Sequence, residues 1–91
     1  MHQDEECNAY ILIKVDSGKD LQVFNKIREL QHTYPISEVA TLYGDYDVLV
    51  KVKMERCGDL ESFVYKGIRP IQGIAETQTL ISAKSVEFGS R

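Results

Sequence analysis

The chain has no tryptophan, two prolines, two histidines and two cysteines among 91 residues, and each scarcity excludes something. His2 and His32 have no neighbours spaced to make them a catalytic base or a metal pair, so both are read as surface residues. Cys7 and Cys57 lie far apart without the paired spacing of a zinc site, which predicts a reduced, cytoplasmic protein. Cys57 precedes a helix start, where a thiol can acidify, but an ordinary loop or core cysteine is the simpler reading. Basic residues never cluster. Eleven Lys and Arg against fourteen Asp and Glu give a net charge of -3, and without a basic patch no direct nucleic-acid binding is expected. No apolar run approaches the roughly 20 residues that cross a bilayer. The polar start through Glu6 lacks the regions of a signal peptide, so no membrane role is expected. There is no Gly-rich phosphate loop, no serine in a nucleophile elbow and no paired metal carboxylate. The expectation is therefore no catalytic residue, no metal, no cofactor and no enzymatic activity.

What is present is periodicity. With 43% hydrophobic residues the chain is long enough for one core, and too short for two. Residues 1–7 show no apolar face and read as a frayed tail, leaving 8–91 as the domain. Ala9, Ile11, Ile13 and Val15 alternate with Tyr10, Leu12 and Lys14, the period of a strand. Ser17 and Asp20 are spaced as a capping box, and Leu21, Phe24, Ile27 and Leu30 form the stripe of a helix over 19–32 that Pro35 ends. Residues 36–43 and 48–54 read as two strands of a hairpin. Leu60, Phe63, Val64 and Ile68 give a second helix, and residues 74–83 a last strand with a possible extension through Val86 and Phe88.

Strand, helix, strand, strand, helix, strand is the ferredoxin-like βαββαβ order: an α+β domain with two helices on one face of an antiparallel sheet. The other face has no cover within the chain. It would carry Tyr10, Leu12, Ala40, Leu42, Leu49 and either Thr77 and Thr79 or Glu76 and Leu80, too apolar to leave in water, so a second subunit is expected to stack there.

The candidate binding residues sit in Gly44-Asp45-Tyr46-Asp47. Glycine beside Asp makes a good hairpin turn and nothing more is required of it. Yet the turn also offers backbone N–H groups, an aromatic wall from Tyr46 and a carboxylate from Asp47, the groups that hold an ammonium in a small pocket. Thr77 and Thr79 share one face of the last strand, and their hydroxyls can both donate and accept, although threonine is common in strands.

Residues 35–52, with this glycine, aromatic and aspartate between two apolar strands, resemble the effector domain of the Lrp/AsnC family of transcription regulators, and the likeness runs in order from about Ala9 to Phe88. The resemblance implies an amino-acid-binding domain of the dimeric α+β barrel type. Its dimers pair through their sheets and assemble further, often to an octamer, with ligands held between dimers near the turn. Carried over by position, Gly44, Asp45, Tyr46, Asp47, Thr77 and Thr79 become the ligand-binding candidates. Full-length members carry a helix-turn-helix domain ahead of this one, and here only about eight polar residues precede the first strand, so DNA binding does not transfer. The chain resembles a stand-alone effector domain, or a piece of a longer protein. The alternatives are a ligand-free module that joins full-length Lrp/AsnC regulators and, from a different class, a small dimeric α+β barrel enzyme.

Overall fold

Residues 4–89 are described in the computed structural model. The elements are β1 (Cys7–Val15), α1 (Asp20–Glu29), β2 (Ile36–Thr41), β3 (Val48–Met54), α2 (Leu60–Phe63) and β4 (Ile74–Ile81). A 3-10 turn, Leu30–His32, prolongs α1; another, Cys57–Asp59, leads into α2, and a π-helical stretch, Val64–Ile68, follows it. The sheet order is β2-β3-β1-β4 with every neighbouring pair antiparallel, which is the ferredoxin-like α+β arrangement expected.

The register explains the core. Ala9, Ile11 and Ile13 stand opposite Val52, Val50 and Val48, and all six are fully buried on the side the helices cover. Residues directly opposite on antiparallel strands share a face, so two unbroken alternations suffice to build this layer. Val23 and Ile27 of α1 and Leu60, Phe63, Val64 and Ile68 of the second helical segment close over it. Each such side chain contributes about 1.5–3 kcal/mol by leaving water.

Several local expectations are corrected. α1 starts without a capping box: Lys19 is the cap position, no side chain caps it, and the turn is made instead by the Lys19 N–H on the Asp16 carbonyl. Its buried stripe is Val23 and Ile27, with Leu30 beside them. Leu21, two residues before Val23, points about 200° away around the helix and is 72% exposed. β2 stops at Thr41, because the Leu42 N–H turns to the Asp47 carbonyl and Tyr43 stands in solvent. β4 stops at Ile81, and Val86 and Phe88 lie beyond it, exposed.

The cysteines are corrected too. They are not separate thiols of a reduced protein but a Cys7–Cys57 disulfide. Closing a loop across a sequence separation of 50 removes roughly 4 kcal/mol of unfolded-state entropy. β1 begins at Cys7, paired with Met54, ahead of the Ala9 start read from periodicity. Residues 4–6, inside the segment expected to fray, lie against the turn at 56–57 through the Cys57 N–H on the Glu5 carbonyl and the Arg56–Asp4 pair. Residues 1–3 of that expected tail lie outside the described residues.

Phe63, 2% exposed and tilted against Tyr34 at 4.7 Å between ring centres, ties the second helical segment to the loop before β2. Phe63→Ala should cost about 3–5 kcal/mol in chemical denaturation; a loss under about 1 kcal/mol would show that this ring does not anchor the core.

Candidate functional site

Beyond the Asn8–Lys53 pair, the side of the sheet away from the helices carries three cross-strand rows. Glu38, Lys51, Tyr10 and Leu80 form one; Ala40, Leu49, Leu12 and Gln78 form the next; Lys14 and Glu76 lie in the third, beside Leu42. Apolar residues occupy the middle, and charges of both signs the margins. The face ends at the turn between β2 and β3.

Asp47 fixes that turn. Its carbonyl accepts the Leu42 N–H at 2.8 Å, its N–H donates to the Ile13 carbonyl at 2.8 Å, and its Oδ2 accepts the Val15 N–H at 2.9 Å. The β1–β4 register shifts between Lys14 and Val15, so the carboxylate receives an N–H at the irregularity in the ladder. Asp47 thus joins the hairpin to β1 by backbone and side chain together. Gly44 supplies the backbone freedom: its φ is +132°, a conformation that favours glycine, while no atom would meet a Cβ there.

Tyr46 leans over the open face. Its hydroxyl donates to Oε1 of Gln78, and the Lys14 ammonium lies 5.5 Å from its ring centre, within cation–π range. Asp45 is exposed beside it. Gly44, Asp45, Tyr46 and Asp47 are therefore brought together, joined by Lys14 and Gln78, which sequence reasoning missed. The signal was there: Lys14 continues the Tyr10, Leu12 alternation, and Gln78 lies between the two threonines picked out.

Thr77 and Thr79 are not in this cluster. They pair with Ile13 and Ile11, whose side chains face the helices, so the open-face set of β4 is Glu76, Gln78 and Leu80. Thr77 instead lines a separate cavity of about 470 Å³ with Arg69, Ile74, Ala75 and Glu76. The Arg69 guanidinium, 5.9 Å from the Tyr65 ring, brings a positive charge to that side. β4 is an edge strand, so the two groups flank the sheet's free border from opposite faces.

The family model of the Lrp/AsnC ligand-binding domain matches residues 8–90. The chain belongs to this family. The HTH-type transcriptional regulator FL11 of Pyrococcus furiosus is 38% identical over 77 residues, covering 84% of the chain and 48% of FL11. The chain thus spans about half the length of the curated relatives it matches. Among solved structures, FFRP-DM1 is 32% identical with a TM-score of 0.71, covering 84% of the chain and 97% of that protein. The transcriptional regulator NMB0573 of Neisseria meningitidis, solved as a complex with L-Met, is 17% identical with a TM-score of 0.74, covering 90% of the chain and 53% of that protein, a likeness of fold. The matching family model is that of a ligand-binding domain, and the FL11 proteins that share it are transcriptional regulators.

Because Asp47 holds the frame, its removal should register as stability. Asp47→Ala should cost about 1–3 kcal/mol through the Val15 N–H left without its charged acceptor, and Asp47→Asn, which keeps a side-chain oxygen, clearly less. Equal losses in urea denaturation would show that the carboxylate bond does not support the fold.

Proposed function

We propose that this Lrp/AsnC domain senses an amino acid and transmits the signal through self-association, modulating transcription. The observation that carries the reading is the run from the apolar open face, Tyr10, Leu12, Ala40, Leu42 and Leu49, to a turn where Lys14 lies over the Tyr46 ring and Asp47 accepts the Val15 N–H. Two copies stack through this face, and dimers assemble further, to an octamer, inside the cytoplasm. The ligand enters where one dimer meets the next. Its ammonium meets the Asp45 and Asp47 carboxylates, and its carboxylate meets the turn N–H groups and Lys14. Thr77 and Thr79 approach from the other side of the β4 border, so a ligand touches both groups only when a neighbouring copy completes the crevice. Binding shifts assembly by its differential affinity for the assembled state. The L-Met complex of NMB0573 supports an amino acid as the ligand class.

A ligand-free role, joining full-length Lrp/AsnC regulators, is favoured by the same apolar face and is separated by titration. Calorimetry of the assembled protein against the twenty amino acids should give heat with at least one, abolished in Tyr46→Ala with assembly retained. No heat from any of them would favour the interaction module. Leu12→Asp, placing a charge in the middle of the face, should convert the wild-type oligomer to monomer in sedimentation; a wild-type protein that is itself monomeric at micromolar concentration would sink the stacking.

A further inference from the structure

At the end of β1 opposite the turn sit two sulfur atoms that the sensing reading does not use. Cys7 opens β1 opposite Met54 and is 8% exposed. Cys57 opens the 3-10 turn before α2 and is half-buried. Their Cα atoms stand 5.3 Å apart, a separation a disulfide spans comfortably. Two other ties hold residues 4–6 to this turn, and the residues they involve on the 4–6 side, Asp4 and Glu5, are exposed. The Cys57 N–H donates to the Glu5 carbonyl at 2.8 Å, and Arg56 pairs with Asp4 at 3.3 Å between side chains 64% and 88% exposed. An exposed ion pair of this kind adds little. The core reaches full burial only from Ala9 onward, where β1 is paired by both β3 and β4, and there it needs no sulfur.

We infer that Cys7 and Cys57 form a reversible redox clasp. Oxidised, it ties residues 4–6 and the first residue of β1 to the turn at 56–57; reduced, it releases residues 4–6 and frays that end of β1, while the rest of the sheet and both helices persist. The reductant is a dithiol. Its thiolate bonds to the Cys57 Sγ, the S–S bond breaks, and the electron pair leaves on the Cys7 Sγ, which takes up a proton. The second thiol then displaces Cys57 from the mixed disulfide, so the pair gains two electrons and two protons while the dithiol becomes a cyclic disulfide. A disulfide-class oxidant reverses both steps. Disulfides of intracellular proteins, hyperthermophiles apart, are usually transient and catalytic or redox-sensing. Opening it reaches a neighbouring cavity of about 500 Å³ directly, because Met54 and Arg56, with Tyr34 and Phe63, line its wall. This inference stands apart from the amino-acid reading, and neither depends on the other.

The test compares the full chain in diamide and in dithiothreitol. Intact mass after alkylation should show no modified cysteine in the first and two in the second, and the change should reverse on reoxidation. Amide exchange at residues 5–8 and 56–59 should be about tenfold faster or more in the reduced form, with Ile11, Ile13 and Val50 unchanged. A Cys7→Ala/Cys57→Ala variant should exchange at the fast rate in both buffers. Two thiols that diamide cannot pair would overturn the clasp, as would exchange rates that do not respond to reduction. Acceleration across the whole sheet would overturn it as well, making the bridge a structural staple.

Discussion

The register of β1 against β3 is the constraint on which the rest depends. With Ile11 opposite Val50, the buried residues of both strands fall on one face; shifted by one residue, every one of them would turn to solvent. Two fixtures stand at the ends of this pairing. At one, Asp47 binds the Ile13 carbonyl and the Val15 N–H just past the Ile13–Val48 pair. At the other, Cys7 pairs with Met54 and is bonded to Cys57. Hydrophobic burial drives the strands together and sets the register; the Asp47 bonds resist sliding at one end, and the disulfide ties the outer end of β1 to the turn beyond β3.

The same register creates the surface on which function is proposed. Because two short helical segments cover one side only, the alternate residues Tyr10, Leu12 and Leu49 form a flat apolar strip, with Glu38, Lys51, Lys14 and Glu76 at its margins. The turn that ends the strip is part of the framework and of the candidate site at once. The chain belongs to the Lrp/AsnC ligand-binding domain family and spans about half the length of the curated regulators it matches.

Most of the architecture was legible in the sequence because its strands alternate cleanly. Residues 48–54 read as a strand and form one with those bounds, since Val48, Val50, Val52 and Met54 are all buried. Helix detail was less legible. Leu21 and Phe24 suit a 3.6-residue period as well as Val23 does, and only the position of the sheet decides among them. The face of β4 was open for the same reason: Thr77 and Thr79 on one side, and Gln78 and Leu80 on the other, are equally acceptable to an edge strand. The disulfide was hidden by its sequence separation, although the antiparallel pairing of the first and third strands already brings Cys7 opposite Met54, three residues from Cys57. Asp47 was picked out for its charge. Its hydrogen bond to Val15 depends on an irregularity in a ladder that no pattern of side chains announces.

That bond divides the turn into parts with different freedom to change. Asp47 is held by its N–H, its carbonyl and its carboxylate, whereas Tyr43 and Asp45 are exposed within the same few residues of chain. Substitutions at these two outward positions leave all three of the Asp47 bonds in place. Descendants of such a domain can therefore drift in what they recognise while the scaffold beneath stays constant, a separation of chemistry from architecture within a single loop.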